Sequence, residues 1–223
     1  MLMSVKLTTV DAMKRLRMAV VEWAAGNADA AADARALAAG VRSVALVEGV
    51  SDAVAIETLA ARHGRMLDDE GIAVVPLGGA TSIRRFLSLL GPPGLDLRLV
   101  GLCDVGEERY FQRGLEHAGL GPCSSRAELQ QLGFFVCVAD LEDELIRALG
   151  VESTEEVVKA RGDLRAFRTF QNQPAQRGRP VQQQLRRFMG TLSGRKSSYA
   201  GLLVDRLDLS RAPAPLEGVL SSV

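Results

Sequence analysis

A handful of acids and a pair of glycines recur at intervals suited to chemistry on a phosphate. In VRSVALVEGVSDAVAIETLAAR, residues 41–62, an apolar run ends at Glu48, and Asp52 follows four residues later where a helical pattern opens. Gly78-Gly79 follow the next apolar run, IAVVPL; Asp104 closes LRLVGLC; Asp140, Glu142, Asp143 and Glu144 follow FFVCVA. Carboxylates gathered in one place repel one another and raise each other's pKa unless a cation lies between them. Hard divalent ions such as Mg²⁺ or Mn²⁺, held by carboxylate oxygens and water, suit such a donor set. Glycines let the backbone come close to a phosphate or to a metal-bound ligand. The same residue types also serve plainer ends. Glu48 and Asp52 can complement a helix dipole, Glu142 and Glu144 can sit on a solvated first turn, and the arginines around 182–187 can line a solvated helix face.

Whether these acids meet depends on the elements that carry them. Residues 44–47, 72–77, 97–103 and 134–139 are continuous apolar runs, and they alternate with helical patterns over 51–63, 81–90, 107–118 and 141–149. That alternation predicts an α/β fold: a parallel sheet of about four strands covered by helices on both faces. In open sheets of this kind, ligands bind outside the carboxyl ends of the strands, which is where the acids and glycines fall.

The flanks read as helical extensions, giving segments 1–40, 41–150 and 151–223. Val10, Met13, Leu16, Val20 and Trp23 form one stripe over 8–25, and the alanine-rich stretch 27–39 forms a second helix stopped by Gly40. These helices either close the core or offer a homodimer surface. Beyond Gly150, Ser153-Thr154 before Glu155-Glu156 signals a helix start. QNQPAQRGRPVQQQLRRF then reads as a flexible basic connection interrupted by Pro174 and Pro180. GTLSGRKSSYAGLLVDRL places Tyr199, Leu202, Leu203 and Leu207 on one helical face, and 210–223 is a tail docking by its leucines.

Lysine plus arginine equal aspartate plus glutamate at 27 each, so any contact with a polyanion must be local. Basic residues placed for such contacts are Arg84, Arg85, Arg177, Arg179, Arg186, Arg187 and Arg195. Aromatics make up only 4% of the chain, too few to read single-stranded bases by stacking. The three cysteines lack metal-ligand spacing and read as reduced core residues, which places the protein in the cytoplasm. No apolar stretch reaches the roughly 18 residues that span a bilayer, so no membrane partner is expected. GTLSGRKSS is one residue short of a phosphate-binding GxxxxGK[ST] loop and no strand precedes it. His63 and His117 stand alone near helix ends, as surface or C-cap residues.

VALVEGVSD, PLGGATSI and LVGLCD together resemble the TOPRIM domain, and LEDEL with RKSSYAGLL resembles the version found in the overcoming-lysogenization-defect (OLD) family of nucleases. The resemblance implies Mg²⁺-dependent or Mn²⁺-dependent phosphodiester hydrolysis on nucleic acid, DNA first. By that likeness Glu48 takes the place of the family glutamate, Asp52 that of the acid on the following helix, and Asp104 that of the first aspartate of a DxD motif. Glu142 and Glu144 match the acids after the fourth strand, and Lys196 the lysine that assists the reaction. Arg84, Arg85, Arg187 and Arg195 would then hold the nucleic-acid backbone. One departure stands out: the chain reads Asp104-Val105-Gly106 in place of DxD, with Glu107 next as the substitute ligand. The alternative is therefore a catalytically weakened TOPRIM module that binds nucleic acid, or a separately encoded ATPase, without cleaving. OLD-type nucleases carry their ATPase in the same chain, and none is evident in these 223 residues.

Overall fold

The four apolar runs form one parallel sheet: β1 (Ser43–Val47), β2 (Ile72–Pro76), β3 (Arg98–Asp104) and β4 (Phe134–Cys137), in the order β2-β1-β3-β4. A computed structural model describes residues 9–192 and 194–223; the start of the expected first helix, at residue 8, lies outside them. Side chains alternate across the sheet as strand geometry requires. Ala45, Val47, Ile72, Val74, Val100 and Leu102 enter one core, while Val44, Leu46, Ala73, Val75, Leu99 and Cys103 enter the other. Val47 ends β1 opposite Pro76, the end of β2, and opposite Leu102, so β3 runs two residues further to Asp104 at the same edge. The strand order reverses between β1 and β3, and a crevice opens at such a switch point.

On one face lie α1 (Thr9–Ala24), α2 (Ala30–Ala38), α4 (Ile83–Leu90), α5 (Glu108–His117) and the short α6 (Arg126–Gln131). On the other lie α3 (Val50–Arg62), α7 (Leu141–Leu149), α8 (Val151–Ala160), α9 (Leu164–Gln171), α10 (Val181–Met189), α11 (Arg195–Arg206) and α12 (Ala214–Ser222). Residues 151–223 are thus one wall of the sheet's own core: Phe167, Phe188, Tyr199 and Leu203 pack with Ile56 and Leu59 of α3. α11 lies along α3, and Arg62 ties their far ends by donating to the carbonyls of Val204 and Leu207 at 2.6 and 2.7 Å. Asp52 and Lys196 stand at the opposite ends of these two helices.

Several local expectations are corrected. Val10 and Leu202 face solvent, because each stripe of a surface helix has room for fewer core positions than its apolar residues suggest. α8 begins directly after Gly150, whose φ of +87° turns the chain, and the Thr154 hydroxyl donates to the Gly150 carbonyl inside the first turn rather than capping a later start. The basic connection at 172–180 is pinned: Gln184, itself buried, donates to the carbonyls of Gln176 and Arg179 and accepts from Gln171. α6 was not expected, although Ser125 and Glu128 form a reciprocal capping box. Among the described residues no helix is long and apolar enough to cross a membrane, and Cys103, Cys123 and Cys137 are buried free thiols.

Candidate metal centre

At the carboxyl ends of the strands lies a cleft of about 300 Å³ whose lining includes Glu48, Asp52, Gly78, Gly79, Asp104, Glu142 and Lys196. Glu48 is half-buried just past β1, and its Oε2 is enclosed without a hydrogen-bond partner among the described residues. Burial, and then the charge of Glu107, raise its pKa above the ordinary glutamate value. Asp52, in the first turn of α3, is 8% exposed, and its Oδ2 accepts the Gly49 amide at 2.8 Å, satisfying a helix-start N–H that glycine cannot cap. It therefore serves both the helix and the cleft. Burial pushes its pKa up to about 7 against the pull of that hydrogen bond, with Glu142 and Glu48 adding to the rise. Asp104 ends β3, and burial followed by the charges of Glu48, Asp52, Asp140 and Glu142 pushes it up to about 8.

Glu142, on the first turn of α7, is 3% exposed; its Oε2 accepts from Lys196 Nζ at 2.9 Å, while its Oε1 is buried without a partner among the described residues. Burial works against the charge on Lys196, yet Glu142, Asp140 and Asp104 hold its pKa above the ordinary lysine value. Gly78 and Gly79 have φ of +70° and +123°, and a Cβ on either would meet only open space, so the backbone there is left bare toward the cleft.

The remaining candidates lie elsewhere. Glu144 turns away from the cleft: it accepts the Val138 amide at 2.7 Å and pairs with Arg147 at 2.6 Å. Positions two apart on a helix of 3.6 residues per turn point to opposite sides, so Glu142 and Glu144 cannot both reach one ion. Glu107, half-buried before α5, is close enough to raise the pKa of Glu48 but does not line the cleft. Arg195 is 9% exposed, lies over the Phe188 ring and donates to Thr191 Oγ1 at 2.7 Å, so it braces α10 against α11 and is not free for a backbone phosphate. Arg187 is exposed on the last turn of α10. Arg84 and Arg85 stand on α4, in a separate cavity. Asp140, a strand-end acid without an expected site role, caps α7 through the Asp143 amide and accepts from Arg186 Nε at 2.6 Å.

The donor set suits a hard divalent ion: carboxylates from separate strand ends and from α7, with Glu48 Oε2 and Glu142 Oε1 lacking partners among the described residues. As the side chains stand, no group of three or more His, Cys, Asp or Glu among the described residues is gathered closely enough to ligate an ion. Mutual repulsion keeps like charges apart and a cation would draw them together. A pH dependence follows. Asp52 and Asp104 keep protons in the folded chain that the unfolded chain releases near pH 4. Their contribution to stability is full below that value and is lost as pH rises through about 7 to 8. The melting temperature in chelator is expected to fall between about pH 5 and about pH 8.5, and less steeply in Asp52→Asn, as differential scanning fluorimetry can check.

Comparison with known proteins agrees with this fold. The family described as overcoming lysogenization defect protein-like, TOPRIM domain, matches residues 41–105. The C-terminal region of the OLD protein of Xanthomonas campestris pv. campestris, phased with platinum, is 25% identical with a TM-score of 0.65, over 82% of this chain and 92% of that one. The same region phased with mercury is 26% identical with a TM-score of 0.64, over 82% and 94%. The C-terminal region of the Burkholderia pseudomallei OLD protein, at 21% identity and a TM-score of 0.63 over 82% and 96%, shares the fold. No curated protein matches the chain.

Proposed function

We infer that this chain, which carries an OLD-like TOPRIM domain, hydrolyses phosphodiester bonds of nucleic acid at the acid cleft with a divalent ion, Mg²⁺ or Mn²⁺. The observation that carries the reading is Glu48 Oε2, a buried carboxylate oxygen without a partner among the described residues, beside the buried Asp52 and the half-buried Asp104. Such an oxygen costs the fold free energy unless a cation answers it. Glu48, Asp52 and Asp104 would hold the ion, with Glu142 at the far wall and Glu107 close by in place of the carboxylate missing at Gly106. A divalent ion there supplies positive charge against the phosphate and makes water more acidic.

The chain's own groups supply the rest. Lys196, kept protonated by its acidic neighbours and aimed by Glu142, offsets negative charge that develops on the phosphate oxygens. The bare backbone at Gly78-Gly79 lets the phosphate approach closely. Purified protein is expected to nick or cut DNA in Mg²⁺ or Mn²⁺ and to stop in chelator. Inertness toward single-stranded and double-stranded DNA and RNA in both ions would overturn the reading. The Asp104-Val105-Gly106 departure favours one second reading, a module that binds nucleic acid or a separately encoded ATPase without cleaving. Calorimetry decides between them. On the nuclease reading Mn²⁺ binds, and Asp104→Asn weakens it by about tenfold or more; nucleic-acid binding with no ion binding favours the second.

A further inference from the structure

The acid cleft has a basic counterpart. A second cavity, about 660 Å³, opens where α1, α4 and α5 meet, and its polar groups come from Thr81, Arg84, Arg85, Ser88 and His117 beside the ring of Trp23. Among the described residues no carboxylate lines it. Arg84 is exposed and makes no ion pair with the described residues; its Nη2 donates to His117 Nε2 at 2.6 Å, leaving most of its five N–H donors unspent. Arg85 donates to the Ala24 carbonyl at 3.3 Å, at the negative end of α1, so that helix orients it along the cavity wall. Guanidinium, imidazole and hydroxyl groups without a carboxylate partner form a recognition set for a phosphate.

The two cavities are neighbours through the chain. Gly79 lines the cleft and Thr81 lines the basic cavity, and two residues span at most about 7 Å. A nucleic-acid strand carries a charge for about every 3.4 Å of helix axis, so a strand with one phosphate at the acid cleft has others within reach of Arg84. We propose that the basic cavity seats backbone phosphates of the strand presented to the acid cleft, with Arg84 and His117 as the contacting pair. The proposal deepens the nuclease reading and rests on it for the strand's direction. It gives grip without base reading, consistent with contacts that go to phosphate alone.

The chain has one tryptophan, Trp23, so intrinsic fluorescence reports on this cavity. A short single-stranded DNA oligonucleotide, titrated in chelator so that nothing is cut, is expected to change Trp23 emission saturably in wild type and in Glu48→Gln. Arg84→Ala and His117→Ala are expected to weaken binding about three- to tenfold, and Arg84→Ala to lower the slope of log K against log salt by about 0.7 to 1. Arg165→Ala, on α9, is expected to bind as wild type. Melting temperatures confirm that the variants fold. Wild-type affinity and salt slope in Arg84→Ala would overturn the proposal, as would binding seen by anisotropy with no change in Trp23 emission. Inorganic phosphate acting as strongly as the oligonucleotide would also overturn it, marking a free-anion site. Cleavage by wild type alongside undiminished binding by Arg84→Ala would sink the strand path and spare the cleft. Weakened binding by Arg84→Ala with no cleavage in any ion would support the path and sink the nuclease reading.

Discussion

Glu48→Gln is expected to remove divalent-ion-dependent cleavage by about a hundredfold or more, since an ion's contribution of several kcal/mol to the transition state is lost with its anchoring charge. The substitution keeps the shape of the side chain and removes the charge that burial and Glu107 already disfavour. The folded protein should therefore melt at the same or a higher temperature in chelator, while the rise in melting temperature on adding Mn²⁺ shrinks. That pairing separates loss of the ion from loss of the fold. Single-turnover cleavage of a labelled strand gives the rate, and scanning fluorimetry with and without Mn²⁺ gives the rest. Wild-type rates in Glu48→Gln would mean that the cleft holds its ion without the residue placed at its centre.

A large effect on stability is expected at Gly101, in the middle of β3. A Cβ there would lie 2.8 Å from the Leu46 carbonyl oxygen and 2.6 Å from a Phe134 ring carbon. The ring has little room to yield, because Phe134 is 1% exposed and packs edge-on against Phe111. The carbonyl belongs to β1, which is hydrogen-bonded on both sides. Gly101→Val should cost about 3 kcal/mol by overpacking, with a fall in melting temperature of roughly 6 to 12 °C. Because Leu46 lies two residues before Glu48, any folded fraction should also bind Mn²⁺ less tightly. A melting temperature within about a degree of wild type would show that β1 and β3 can separate without cost.

The strands could be read from the sequence because a sheet covered on both faces demands unbroken apolar runs, and Glu48 and Asp104 could be read because topology fixes where such runs end. The acids after β4 were only half legible. LEDEL offers two glutamates, and which of them faces inward depends on how α7 is rotated against the sheet, information that the pattern of charges does not hold. The same ambiguity separates Arg195 from Lys196: adjacent residues on one helix, one buried against Phe188 and the other directed at Glu142. Lys196 was reached through likeness to OLD nucleases, and its contact with Glu142 follows from α11 lying along α3, a packing outcome with no local signature. The division at residue 150 marks a change in composition, but the core runs across it, because apolar faces of α8 to α12 cover the sheet that α3 and α7 leave open.

The pairing of Glu142 with Lys196 joins positions 54 residues apart. On the ribosome, the strands and every acid of the cleft are translated well before the ammonium that completes it, and α11 has a seat only after α3 and α7 have docked. Until residue 196 emerges, the nascent basin holds its acids without the ammonium that answers Glu142.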